Sequence, residues 1–154
     1  MVAAVAGVAA LAIAFGAFAG NEGDGIERTP LTIVAANGST ARLHIEIADT
    51  PEKRSVGLSG RTEVPNDTGM LFTDLRRNGG FWMKDTLVDL SVAFIDKCGK
   101  IVHIEDMEAN TTTNHNSPTP YLFGLETAQG WFARNGITVG DIVSIPEEHR
   151  QEGC

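Results

Sequence analysis

Apolar positions along this chain come in short alternating runs rather than long helical stripes. In Leu31–Ala48, "LTIVAANGSTARLHIEIA", two strand-length runs flank Asn37-Gly38, a dipeptide that readily takes the positive φ values of a tight hairpin turn. In the second run Leu43, Ile45 and Ile47 alternate with Arg42, His44 and Glu46. That period of two predicts one buried face and one wet face, with His44 on the wet one. The pattern then changes at "DTPEKRSVG". Asp49 or Thr50 can cap a helix, Pro51 suits its first position and Gly57 can end it, which predicts about two helical turns. Beyond a turn at Asn66-Asp67, a strand is predicted at Met70–Phe72, and "RRNGG" reads as a further turn with a local positive cluster at Arg76-Arg77. Strands are expected over Phe81–Lys84 and Leu90–Ile95, with "DKCGK" as a hairpin turn and "IVHIE" as the returning strand. "YLFGLET" predicts another strand, "AQGWFARNG" a short helix ending at Gly136, and "DIVSI" a last strand. Many short strands at turn-signalled spacing predict a mainly β fold, a compact β-sandwich or small barrel with one or two short helices.

Met107–Pro120, "MEANTTTNHNSPTP", interrupts this rhythm as a long polar loop. Structureless connections of that length are uncommon in compact domains, so the loop is mobile or functional, and its His115 could swing over a pocket. His103, inside a strand, reads as a satisfied structural histidine.

The ends of the chain have a different character. Residues 1–20 carry no charged side chain, and at ~1.5 Å per residue the run Val2–Gly20 would span roughly 28 Å as a helix, close to a bilayer core. It reads as a cleaved signal peptide, for which Ala17-Phe18-Ala19 offers a small-x-small site, or as an uncleaved membrane anchor. Either fate places the rest outside the cytoplasm, secreted or held at the outer face of the cytoplasmic membrane. Residues 21–30 read as a linker, 31–146 as a single β-rich domain and 147–154 as a polar tail.

Charge and cysteine usage narrow the function classes. Twelve basic side chains against twenty acidic ones give a net charge of −8, a surface that repels phosphate backbones and argues against nucleic acid. Cys98 and Cys154 could pair in an oxidising compartment, but they form neither a metal knuckle nor a CxxC pair. His44, His103, His115 and His149 are scattered, with no HxH or HExxH, so no metal site is expected and no cofactor is implied. Ser59 in "GLSGR" lacks the G-x-S-x-G elbow of a serine nucleophile. Asn37, Asn66 and Asn110 each begin an N-x-S/T sequon and mark surface loops.

Chemistry concentrates in "FWMKDTLVDLSVAFID", residues 81–96. On an extended backbone Phe81 and Met83 face one way, into the core, and Trp82 and Lys84 the other, with a cation beside a π face. Strict continuation would bury the Asp85 carboxylate, which is costly unless the chain bends there or the carboxylate finds a partner. Arg61 offers a bidentate fork for it. Glu126 is a second charged residue inside an apolar strand. Arg61, Trp82, Lys84, Asp85, Thr86 and Glu126 are therefore the candidate binding residues, and Asp85 and Glu126 a candidate acid–base pair. A satisfied ion-pair network is the structural alternative.

The blocks "KRSVGLSGR" (53–61), "TGMLF" (68–72), "FWMKDTLVDLSVAFID" (81–96), "YLFGLETAQGW" (121–131) and "GITVGDIV" (136–143) together resemble the family called domain of unknown function 192. The resemblance covers most of Leu31–Ile145, and the Phe-Trp-Met-Lys block is its most specific element. It implies a compact β-rich domain, often behind a signal or anchor segment, and carries no assigned function. The family pattern has Asn where this chain has Asp85. The leading expectation is an exported, non-enzymatic β domain that binds a small polar or anionic ligand, or a partner protein, around Arg61, Trp82 and Lys84. An acid–base hydrolase using Asp85 and Glu126 and a purely structural envelope module are the alternatives.

Overall fold

The structure, a computed structural model, describes residues 25–75 and 79–154. The N-terminal apolar run and the Arg76-Arg77 cluster lie outside the described residues. Seven strands form one sheet: β1 (Thr29–Val34), β2 (Thr40–Ala48), β3 (Thr68–Phe72), β4 (Leu90–Ile95), β5 (Ile101–Met107), β6 (Phe123–Ala128) and β7 (Ile142–Val143). Their order is β5-β4-β6-β3-β2-β1-β7. Only β2 and β3 pair in parallel, which requires the crossover that carries helix α1 (Pro51–Val56). Ile142 pairs with Val34 on one side and bridges Lys100, just before β5, on the other. The sheet thus curls into a half-barrel, and the fold is mainly β, with α1 and the short α2 (Trp131–Arg134) as the two α-helices among the described residues.

Local chemistry explains most boundaries. Thr50 caps α1, its hydroxyl accepting from the Lys53 N–H at 3.2 Å, Pro51 opens the helix and Gly57 closes it at φ 51°. Gly38 turns the β1–β2 hairpin at φ 84°. Strands β3 and β4 are buried on both faces, and their sequences are accordingly mostly apolar, with Thr68 and Ser91 as the polar exceptions.

Two hydrophobic layers result. The inner one joins Leu31, Ile33, Leu43, Ile45, Leu71 and Leu125 beneath Trp131 and Phe132 of α2. The outer one joins Met70, Phe72, Val92 and Phe94 on the sheet with Phe81, Met83, Leu58 and Tyr121 from the loops above. Phe81 packs edge-on against Phe72 and Phe94 with centroids at 5.1 and 5.6 Å, contacts worth ~0.5–1.5 kcal/mol each beyond burial.

The expected strand at Phe81–Lys84 is not formed. Only Phe81 makes a β-bridge, to His115 of the long loop, and the block runs irregularly over the sheet. Left-handed residues bracket it, Gly80 at φ 72° and Asp85 at φ 57°, and prevent a continuous ladder. The long loop is therefore tied down at His115. Cys98 and Cys154 are disulfide-bonded, with Cα atoms 5.2 Å apart, and pin the polar tail to the β4–β5 turn. Among the described residues no helix is long and apolar enough to cross a membrane.

Candidate functional site

Register places a row of carboxylates across the outer face. Directly paired residues share a face, and the register runs Glu46 (β2), Met70 (β3), Glu126 (β6), Val92 (β4), Glu105 (β5). Each carboxylate is one apolar residue from the next, and each meets a different environment.

Glu46 lies at a cleft of about 770 Å³ bounded by β2, α1 and the C-terminal tail. Arg61 grips it bidentately, with both N–O distances 2.6 Å, and Arg28 stands 3.7 Å from the same carboxylate. The expected Arg61–Asp85 pair is therefore replaced by Arg61–Glu46. The Arg61 and Asp85 segments do meet, but through backbone: the Gly60 N–H and the Ser59 hydroxyl donate to the Asp85 carbonyl at 2.8 and 3.3 Å. With its fork filled, Arg61 presents little free charge to a ligand. Five carboxylates line the cleft (Glu27, Glu46, Asp49, Glu52, Glu148) against two cations, Lys53 and Arg61, and His149. Lys53 bonds Asp49 at 2.8 Å and holds its carboxyl below the usual range.

Glu126 is only 5% exposed, in the outer apolar layer between Met70 and Val92. Burial pushes its carboxyl up to about 8, and among the described residues no charge or hydrogen bond opposes that shift. The small residues Gly124 and Ala128 precede and follow it on that face, and a Cβ at Gly124 would collide with the Phe81 ring. The Phe-Trp-Met-Lys block is thus a cover over the layer that holds Glu126. Phe81 and Met83 point into it, as alternation predicts. Trp82 is 58% exposed on the other side, with the Lys84 ammonium 5.7 Å from its ring centroid.

Asp85 is exposed at the turn that ends the cover. Its left-handed backbone, at φ 57°, suits Asp or Asn at this position, since these two tolerate that region better than other non-glycine side chains do. Thr86 is buried, its N–H donating to the Met83 carbonyl and its own carbonyl accepting from the Asn110 N–H. The six candidate residues therefore fall in three adjoining places: Arg61 in the cleft, Trp82, Lys84, Asp85 and Thr86 in the cover, and Glu126 in the layer below.

Sequence reasoning missed Glu46 and Glu105. Glu105 Oε1 lies 2.8 Å from His115 Nδ1, accepting from it when that nitrogen carries the proton, and the same carboxylate stands 3.7 Å from His103 Nε2. His115 Nε2 is buried with no hydrogen-bond partner among the described residues. The i, i+2 spacing of His103 and Glu105 on a predicted strand was the available signal for a shared face. Among the described residues no group of three His, Cys, Asp or Glu side chains is placed to hold a metal ion.

A curled sheet with a carboxylate row on its outer face defines the class, a small mainly β domain. The chain belongs to the DUF192 family, whose model, described as Uncharacterized ACR, matches residues 32–145. It is similar to a protein of unknown function from Novosphingobium aromaticivorans DSM 12444, with 28% identity and a TM-score of 0.74, covering 90% of this chain and 99% of that one. It is also similar to a protein from Sinorhizobium meliloti 1021 described as a candidate transcription regulator, with 30% identity and a TM-score of 0.73, covering 77% of this chain and 94% of that one. No curated protein matches the sequence.

Proposed function

We propose that this chain is a non-enzymatic binding domain acting outside the cytoplasm, and that it takes a small polar ligand in the cleft between α1, β2 and the tail. The observation that carries the reading is the cleft itself, of a volume ordinary for small-molecule sites. Its excess of carboxylates, with Arg61 occupied by Glu46, favours a ligand bearing an amine or guanidinium over the anionic ligand expected from Arg61 and Lys84. Export is supported by the apolar run over residues 1–20 and by the Cys98–Cys154 bond, which suits an oxidising compartment. The transcription-regulator description of the Sinorhizobium meliloti relative is not carried over as nucleic-acid binding, because a net charge of −8 opposes a phosphate backbone.

The hydrolase reading keeps one of its two groups. Glu126 is protonated at neutral pH, as a general acid must be, but Asp85 is exposed at the turn while Glu126 is buried. Thermal-shift measurements with small amines and with small anions, on wild type and on Glu52→Lys/Glu148→Lys, test the binding reading. Amines at about a hundred times their Kd should stabilise wild type by ~2.7 kcal/mol and the variant far less. Stabilisation by anions alone would refute the charge assignment. No shift with either class would leave the structural envelope module as the better description.

A further inference from the structure

We propose that Glu126 is a proton-linked latch for the cover: the Phe81–Thr86 segment closes over the protonated carboxyl and opens as the proton leaves. The step balances as closed protein with Glu126 as –COOH going to open protein with Glu126 as –COO⁻, plus a proton released to water.

Three observations carry this. The carboxyl sits in an apolar layer without a partner among the described residues, so its ionised form has nothing to satisfy it but water. The sheet beneath is the wrong place for water to enter, because β3, β6 and β4 are continuously paired there. The cover is the weak side. It is joined to the long loop by four backbone hydrogen bonds: Phe81 N–H to His115 O, His115 N–H to Phe81 O, Met83 N–H to Thr111 O and Asn110 N–H to Thr86 O. A fifth, Gly60 N–H to Asp85 O, ties it to the segment after α1. Phe81 and Met83 pack in the same layer as Met70 and Val92, which flank Glu126, so lifting them opens that side of the layer without breaking a strand ladder.

Among the other titratable groups around the layer, His115 is bonded to the cover through its backbone, and the Glu126→Gln comparison separates its part from that of Glu126. Flanking Glu126 on β3 and β4 are Met70 and Val92, and on its own strand Gly124 and Ala128. Further out, Glu46 on β2 is held by Arg61, and Glu105 on β5 by His115 with His103 beside it. On the cover, Lys84 and Asp85 are exposed, and the Tyr121 hydroxyl accepts from the Gly80 N–H at 3.1 Å. Burial alone raises the Glu126 carboxyl.

The sign follows from linkage. An open cover returns the carboxyl to its ordinary range, so between that range and about 8 each pH unit favours opening about tenfold, and above it the effect levels off. Amide exchange by NMR, expressed as protection relative to the unstructured rate at each pH, reads this directly. Protection at Phe81, Met83, Asn110 and His115 should fall about tenfold per unit from pH 5 to pH 8 in wild type, while central β4 and β6 amides hold. In Glu126→Gln the four amides should keep their protection throughout. Carboxyl ¹³C titration of Glu126 in the wild-type protein supplies a second readout that needs no variant, and its midpoint should mark where the fall levels off. Constant protection in wild type, an equal fall in Glu126→Gln, or a carboxyl that titrates in the ordinary range would each overturn the latch.

Discussion

The Cys98–Cys154 bond should contribute far more stability than the tail's few contacts suggest. The tail beyond Ile145 is mostly exposed and forms only a short 3-10 turn, Glu147–His149, before the final cysteine. Its leverage comes from the unfolded state. The bond spans a sequence separation of 56, and the chain-entropy relation gives roughly 4 kcal/mol for closing a loop of that length. For a domain of this size that corresponds to about 10–15 °C in Tm. Urea unfolding of the oxidised protein, the reduced protein and the Cys98→Ser/Cys154→Ser variant measures it, and the last two should agree. Since the native contacts change little, the loss should come with unfolding that exposes slightly more surface, seen as a somewhat larger m value in the open-chain forms. A loss below about 1 kcal/mol would refute the reasoning, because it would mean that the bond does not restrict the unfolded chain.

The stability of the domain should fall as pH rises, because folding lifts the Glu126 carboxyl from 4.5 to about 8. The folded protein then holds a proton that the unfolded chain releases, so stability is full at acid pH and declines by ~1.4 kcal/mol per unit until about pH 8, up to roughly 5 kcal/mol in all. Denaturant unfolding of Glu126→Gln should lack this slope, and an identical slope would locate the titration elsewhere. At the left-handed turn, Asp85→Asn should be neutral within a few tenths of a kcal/mol, whereas Asp85→Val should cost ~1–2 kcal/mol; equal effects of the two in thermal unfolding would contradict the conformational role. Arg61→Ala should cost about 2–3 kcal/mol, below the usual range for breaking a buried pair because Arg28 remains near Glu46, and adding Glu46→Gln should recover part of it.

Much of the fold was legible because its signals are local. The Asn37-Gly38 turn, the Thr50-Pro51 start of α1 and the alternation along β2 each depend on neighbours a few residues away. The Phe81–Lys84 block shows the limit of such signals. Alternation placed its four side chains on the correct sides, yet it could not say whether the backbone had a partner strand, and the turns at Gly80 and Asp85 deny it one. Ion pairing is less local still. Glu46 meets Arg61 because Glu46 lies on the second strand of a hairpin and Arg61 just beyond a crossover helix, a proximity created by the parallel β2–β3 pair. Nothing in the spacing distinguishes Glu46 from Asp85 as the partner.

The outer face also explains why one domain can present an open cleft and a buried acid side by side. Glu46 and Glu126 are two strands apart, about 10 Å at ordinary sheet spacing, with Met70 between them. Met70 both lines the cleft and flanks Glu126 in the apolar layer. Two arginines pair with Glu46 in its partial burial, whereas Glu126, with no such partner among the described residues, is held as the neutral acid. A displacement of Met70 would therefore be felt on both sides, changing the wall of the cleft and the access of water to Glu126. Ligand occupancy of the cleft and protonation beneath the cover are thus expected to be coupled through one side chain, and by linkage an amine that binds more tightly to one protonation state must shift the Glu126 titration in the corresponding direction.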